Sequence, residues 1–457
     1  MKSIGIDIGT TNVSAVVLDK EKEIVLASRT ISNDSFISTG HEWEKIQDVG
    51  KILEKAQGVL EELLGLYPEA ETIGLTGQMH GILYVDGEGR AVSPLYTWQD
   101  QRGTLPEFSG KSVTDDVKEK CGLTVFAGYG LVTHLYNVKK QIVPDGAVSF
   151  CTIPDYLGMR LTGRKAPLLH ISMAAALGFF DVEKGGFAKE KAEQAGMDVS
   201  FLPEVTEDFA VLGYFKGRKV TVAVGDNQAS FLGAVGFEKN TLLVNVGTGA
   251  QISVLSDCFY ETCGIEARPL AKGKFILAGS SLCGGRAYAI LEKFFREYVR
   301  MSDGRAVSQY GIMEKAGWEA YEKPDPMTAQ TTFNGTRMLP QLRGSIENLN
   351  EDNFTPGGMV CAVLGGIARE LCDMFKEIQK GTGIEAKRIV ASGNGIRKNP
   401  LLQRIFEDMF DSALSLARYE EEAACGAAIS STYPERIITI PAGKPLHGST
   451  EHGSRRL

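Results

Sequence analysis

The sequence contains no Cys-x-x-Cys pair, no Cys/His cluster at metal-ligand spacing, and no apolar run approaching the ~18 residues that a membrane span requires. Its eight cysteines (Cys121, Cys151, Cys258, Cys263, Cys283, Cys361, Cys372 and Cys425) lie scattered along the chain. A structural zinc site and a disulfide framework are therefore excluded, and reduced cytosolic thiols are the simplest reading. A basic segment followed by a short apolar one is also missing, and Met1 leads directly into an apolar strand, so an unprocessed cytoplasmic protein without membrane contact is expected. Basic stripes are lacking too. The formal charge is -8, with acids and bases interspersed, which removes nucleic acid and anionic lipid from the expected partners.

What is present begins with size. A chain of 457 residues, 43% hydrophobic and 23% charged, can bury more than one core, so two or three domains are expected. Ser3 to Gly9 is strand-like, Thr10-Thr11-Asn12 reads as a turn, and Val13 to Leu18 is strand-like again. About halfway along, Leu242 to Val246 leads into Gly247-Thr248-Gly249 and then Gln251 to Leu255. Two β-hairpins with Gly-Thr bends, so far apart, point to a duplicated α/β unit, two related domains facing each other. No low-complexity linker marks the boundary, which the repeat puts near 234–240, giving domains 1–234 and 240–457.

Between these landmarks strands alternate with helices. Ile46, Val49, Ile52, Leu53, Ala56, Val59, Leu60, Leu63 and Leu64 recur at helical spacing, and a short strand follows at Thr72 to Thr76. In the second half Met359, Val360, Val363, Leu364, Ile367, Leu371, Phe375 and Ile378 mark a helix that should stop at Gly381, before a strand at Arg388 to Ala391. A glycine-rich turn, Ser392-Gly393-Asn394-Gly395, comes next. Asn399 can then cap a helix that starts at Pro400 and buries Leu401, Leu402, Ile405, Phe406 and Met409.

Several segments carry chemistry. A bend made of Gly9, Thr10 and Thr11 can aim backbone N–H groups and hydroxyls at a phosphate, and Asp7 beside it can hold Mg2+ through water. An ordinary hairpin turn with a solvated aspartate reads the same, and so does a plain turn at Gly247-Thr248-Gly249; the two bends together favour a nucleotide clamped between two domains. Gly225-Asp226-Asn227-Gln228 follows the apolar run Val220 to Val224, which puts the Asp226 carboxylate at a strand's C-terminal end, where α/β sheets bind ligands and where it can accept a hydroxyl proton. As a turn with a capping Asp it would need no function. His80 and Gln78, in Gly77-Gln78-Met79-His80-Gly81, offer hydrogen bonds to a polyol, unless the histidine is purely structural. Trp98-Gln99-Asp100-Gln101-Arg102 combines an aromatic plate, amides, an acid and a base, which suits a sugar pocket or, more blandly, a surface turn with an ion pair.

Read in order, these segments resemble the FGGY carbohydrate kinases, members of the wider actin, Hsp70 and hexokinase fold group. The matching segments are Ile6-Asp7-Ile8-Gly9-Thr10-Thr11, 77–81, 225–228, Gly247-Thr248, Asn334-Gly335-Thr336-Arg337, Gly393-Asn394-Gly395 with Asn399-Pro400, and Glu421 to Ala428. The resemblance implies an α/β fold of two duplicated actin/hexokinase-like (ribonuclease H-like) domains with a cleft between them. It implies transfer of the γ-phosphoryl of ATP to a sugar hydroxyl, with ATP and Mg2+ as cofactors, a small sugar as partner, and a homodimer left open. It gives Asp226 the role of catalytic base and Asp7 that of the metal-associated residue. Gly9, Thr10, Thr11, Gly247 and Thr248 fall at the phosphates, Gly393, Asn394 and Asn399 at the adenosine, and Met79, His80 and Asn227 at the sugar, beside the Gln78, Trp98 and Asp100 read above.

Within the family, Gln47-Asp48-Val49 with Ile52-Leu53, Thr97-Trp98-Gln99-Asp100 with Arg102, and Gly128-Tyr129-Gly130 resemble sedoheptulokinases more than xylulokinases or glycerol kinases. Sedoheptulose is the expected acceptor, and xylulose or another ketose or polyol the alternative. The sequence departs from many relatives at Ser14, where they carry Lys or Arg, at His134, where several carry Lys, and at the apolar stretch Ile171 to Ala176. A nucleotide-driven binding switch of the actin or Hsp70 kind is the competing class.

Overall fold

In strand Lys2–Ile8 Ile4, Ile6 and Ile8 on one face and Ser3 and Gly5 on the other are buried, the mark of a central strand covered on both faces. The computed structural model to which it belongs describes residues 1–336 and 339–433, so Arg337 and residues 434–457 of the expected second domain lie outside the described residues. The chain forms two compact units. The first comprises Met1–Phe237, Arg268–Phe275 and 419–433; the second comprises Glu238–Ala267 and Ile276–Arg418. The division near 234–240 is thus crossed twice, since a hairpin turn and the last described helix both sit with the first unit.

The first unit is built on a six-stranded sheet in the spatial order Val211–Phe215, Arg218–Gly225, Thr72–Gly77, Lys2–Ile8, Asn12–Asp19, Ile24–Ser32. Lys2–Ile8 runs antiparallel to Asn12–Asp19 and parallel to Thr72–Gly77, which runs parallel to Arg218–Gly225. Register then decides the architecture of the site. Ile8 lies opposite Gly77, and Gly77 opposite Gly225. Three strands therefore end level, and the chain leaves them side by side at Gly9, Gln78 and Asp226.

Helix Val49–Leu66 starts where the Asp48 carboxylate accepts the Lys51 N–H and buries Ile52, Ala56, Val59, Leu60 and Leu63, as its spacing predicts. Helix Glu422–Ser430 arrives from far down the chain and packs on Lys2–Ile8, Thr72–Gly77 and helix Asp226–Ala234. Gly5, Gly74 and Gly426 face backbone atoms of Ala424, Ala427 and Ala229 at distances that leave no room for a Cβ.

The second unit repeats the plan. Its sheet has the order Ile265–Ala271, Lys274–Ser281, Ala250–Ser256, Thr241–Val246, Arg388–Ser392, Leu414–Leu416. Thr241–Val246 is antiparallel to Ala250–Ser256 and parallel to Arg388–Ser392, the same relation that Lys2–Ile8 has to its neighbours. Helix Pro356–Thr382 is capped by Thr355 and ends at Gly383, φ 71°, so the stop lies two residues beyond the expected Gly381. Asn399 caps helix Pro400–Phe410 by accepting the Leu402 N–H at 3.0 Å, as expected. No described helix is long and apolar enough to cross a membrane.

Candidate active site

The first hairpin bend is held by its carbonyls. The Asn33 side-chain amide donates to the Gly9 carbonyl at 2.8 Å, the Asn33 N–H to that of Thr11 at 2.7 Å, and the Gln47 amide to that of Thr10 at 3.0 Å. Three acceptors that would repel an anion are thus tied to the protein, which suits the bend to receive a phosphate. The Thr10 hydroxyl accepts the indole N–H of Trp98 at 2.9 Å and lies 3.5 Å from Gln78 Oε1, while the Gln78 amide donates to Gln47 at 2.9 Å. The bend at Gly9 to Thr11 therefore shares one network with the strand-end residue Gln78 and with Trp98. Gln47 is its hub, a role nothing in the local sequence announces.

Asp7 closes the strand next to this bend, and Asp226 opens helix Asp226–Ala234 two strands away. Withdrawal from water pushes the Asp226 carboxyl up to about 6, against the Asn227 N–H and the Arg268 charge, which favour its ionised form. Asp7 is pushed up to about 7, first by burial and then by the negative charges of Asp226 and Glu421. Asp226 Oδ1 accepts the Asn227 side-chain amide at 3.0 Å, and Asn227 Oδ1 accepts from Arg268 at 3.3 Å. Arg268 is a second residue that sequence reading missed, because it comes from strand Ile265–Ala271, distant in the sequence.

His80 sits at φ 73°, stacks on Tyr129 with ring centroids 5.0 Å apart, and has Nδ1 2.6 Å from the Ala176 carbonyl. Nδ1 must then carry a proton and donate to that carbonyl. Met79 is buried, with its sulfur 3.7 Å from the Asn227 amide, and Trp98 presents an exposed ring. Asp100 does not belong in this group. It is fully buried, its Oδ1 accepting from the backbone and Nε of Arg102 and its Oδ2 from Arg102 and the Lys45 N–H, so no oxygen reaches a ligand surface. The spacing correctly reads as an ion pair, but a buried one: the Arg102 guanidinium lies 4.3 Å from the Tyr96 ring centre and donates to Asn137.

In the second unit the Gly247 and Thr248 carbonyls accept the N–H groups of Gly285 and Arg286, joining this bend to the start of helix Gly285–Asp303. Beside it lies a cavity of about 750 Å3 whose lining includes Gly247, Thr248, Asn394 and Asn399. Arg286 and Lys398 add two cations to the wall, and Tyr288, Ile367 and Leu402 give it an apolar part. The size and the mixture suit a nucleotide. Gly393 acts through its backbone: at φ 85°, with a would-be Cβ only 2.6 Å from the Val246 carbonyl, it lets the strand turn into the next helix.

The departures at His134 and Ser14 acquire physical settings. His134 is buried against the two-stranded sheet of Leu83–Asp86 and Ala147–Cys151, 2.9 Å from the Tyr84 hydroxyl and with its ring 5.3 Å from that of Phe150, and burial pulls it down to about 4. Ser14 is buried too and bonds Thr30 at 2.9 Å, which donates to Glu421.

Residues 3–242 match the N-terminal domain of the FGGY family of carbohydrate kinases, and residues 246–433 its C-terminal domain. Sedoheptulokinase of Mus musculus is 27% identical over 93% of this chain and 96% of its own length, and glycerol kinase of Bacillus anthracis 25% identical over 93% and 88%. Among solved structures, xylulose kinase from Rhodospirillum rubrum superimposes with a TM-score of 0.79 at 21% identity, covering 94% of this chain and 89% of that one. Plasmodium falciparum glycerol kinase with ADP gives 0.76 at 18% over 94% and 89%. The fold is that of the actin/hexokinase-like two-domain α/β proteins. This chain belongs to the FGGY family of carbohydrate kinases and is an ATP-dependent sugar kinase.

Proposed function

We propose that this kinase phosphorylates a ketose, sedoheptulose in first place, with Asp226 as the base that takes the proton of the attacking hydroxyl. The observation that carries the reading is the level ending of three strands, from which Asp7, Gln78 to His80, and Asp226 with Asn227 emerge together. Phosphoryl transfer needs mainly positioning and charge neutralisation, so one correctly aimed carboxylate suffices as protein chemistry. Gln78, Met79, His80, Trp98 and Asn227 orient the acceptor. Gly9, Thr10, Thr11, Gly247 and Thr248 bind phosphates, and Gly393, Asn394 and Asn399 frame the adenosine.

Asp7 fits as the residue that carries Mg2+ through water. Its carboxyl, raised to about 7 first by burial and then by the charges of Asp226 and Glu421, is only half ionised near pH 7, and a cation beside it would favour the ionised form. Among the described residues no group of three His, Cys, Asp or Glu side chains could bind a metal alone, which agrees with an ion held mostly by phosphate oxygens and water. When bound, the ion neutralises charge on the transferring phosphoryl group. Eight free thiols suit a reducing, cytoplasmic setting.

Support for sedoheptulose comes from the mouse and human sedoheptulokinases, which match this chain over nearly their full length. Xylulose is the rival acceptor. Assays of ATP consumption with a panel of ketoses and polyols separate them: no turnover on any sugar overturns the reading, and turnover of xylulose alone changes the acceptor only.

A further inference from the structure

The stretch 170–176, apolar by sequence, holds two polar contacts that lead into the site. Ser172 and His170 are both fully buried on and before the short helix Ile171–Ala175. The Ser172 N–H donates to His170 Nδ1 at 3.3 Å, so that nitrogen is the ring's acceptor. The Ser172 hydroxyl lies 2.7 Å from the same Nδ1 and therefore donates to it. This fixes the hydroxyl's remaining lone pairs, one of which accepts the buried Gly225 N–H at 2.9 Å. Gly225 immediately precedes Asp226 and is the cap residue of its helix. His170 has no competing role: its ring stacks on Phe209 at 5.0 Å, burial keeps it neutral, and its Nε2 has no hydrogen-bond partner. At the other end of the same helix the Ala176 carbonyl holds His80.

We propose that Ser172 is a positioning residue of this kinase: its hydroxyl, aimed by His170, anchors the Gly225 amide and so sets the direction in which the Asp226 carboxylate leaves the strand. The inference rests on the reading of Asp226 as base. A reacting group misplaced by a fraction of an ångström to 1 Å can lose about 10² in rate, and a buried N–H stripped of its acceptor has reason to move.

The test is a double-mutant cycle read by kcat with both substrates saturating, at a temperature where each variant is folded by circular dichroism. Ser172→Ala should lower kcat by tenfold or more while KM for ATP stays within twofold, and Ser172→Thr should restore kcat to within threefold of wild type. In an Asp226→Asn background, Ser172→Ala should cost less than a further threefold, because a residue that acts through Asp226 has nothing left to position. A loss below tenfold in the single variant, or a further loss of threefold or more in the Asp226→Asn background, overturns the proposal. Should Ser172→Ala not fold, Ser172→Cys replaces it in the cycle with the same limits, since a thiol is a poor acceptor. Failure of the base reading is distinct: Asp226→Asn would then itself turn over normally.

Discussion

Asp226 and Asp7 are each pushed towards neutrality, and the sign of that shift sets what pH does. If Asp226 is the base, as proposed, then at about 6 it is ionised above that pH, and kcat/KM should fall about tenfold per unit as pH drops below 6. Asp226→Asn should remove that acid limb and lower turnover by two to four powers of ten, with ATP binding kept; near-normal turnover in the purified variant would exclude Asp226 from the chemistry. For stability the direction is opposite. Carboxyls raised to about 6 and 7 bind protons in the folded protein that the unfolded chain has already lost above about 4, so stability falls as pH rises from about 4 to 7. Asp7→Asn should accordingly raise Tm of the nucleotide-free protein at pH 8 by about 2–4 °C, the effect of ~1 kcal/mol in a unit of this size, with the gain vanishing towards pH 4. The same variant should lose about 10–100-fold in activity with Mg-ATP, as loss of a water-mediated metal partner does. An unchanged Tm at pH 8 would mean that the repulsion among Asp7, Asp226 and Glu421 is relieved in some other way. Thr248→Val, which deletes a hydroxyl from the lining of the cavity in the second unit, should raise KM for ATP more than KM for sugar; equal rises would overturn the proposed place of Thr248 at the phosphates.

At the scale of elements, local signals were readable and long-range ones were not. The Asn399 cap, the Pro400 start and the strand-end position of Asp226 follow from spacing and turn chemistry within a few residues. Asp100 was misread because an acid two residues from a base reads as the same pair whether solvated or buried, and only the aromatic rings of Tyr96, Trp43 and Tyr136 around Arg102 decide it. Helix Glu422–Ser430 could not be assigned to the first unit from sequence, since its partners lie hundreds of residues earlier. Its composition, Glu-Ala-Ala-Cys-Gly-Ala-Ala-Ile-Ser, makes sense only against them. Small residues let its backbone touch that of helix Asp226–Ala234 and of the central strands. Gly426→Ala forces a methyl into the Ala229 carbonyl, backbone against backbone, and should cost about 3 kcal/mol or more, the upper end of overpacking penalties. Chemical denaturation with an unchanged midpoint would show that the two helices can part at little cost. Because Ala229 lies one turn from Asp226, the variant should also lower kcat before it unfolds.

For the whole molecule the open quantity is the acceptor, and the chain's own polar groups argue for a long one. On the proposed reading Gln78, His80, Asp226 and Asn227 would trade present partners, such as Gln47 for Gln78 and Asp226 for Asn227, for more acceptor hydroxyls than a three-carbon polyol supplies. A buried polar group left unpaired costs about 1–3 kcal/mol, so two unmet groups would hold a short substrate back by about 10²-fold or more in kcat/KM. Glycerol should therefore be a poor substrate, although glycerol kinases are among the relatives. Sedoheptulose should lead a panel that also contains D-xylulose, ribulose and glycerol. The strongest counter-pressure is the short helix Ile171–Ala175, whose Met173 and Ala174 are fully buried and whose end fixes His80 through the Ala176 carbonyl. If that element narrows the pocket, a pentulose would fit better than a heptulose, and His80→Ala should then relax the preference by removing the ring that the helix holds in place. The measurement is kcat/KM for each sugar with wild type and His80→Ala. A wild type that uses D-xylulose efficiently and sedoheptulose not at all would assign a pentulose kinase, and equal use of glycerol would remove the argument from polar satisfaction altogether.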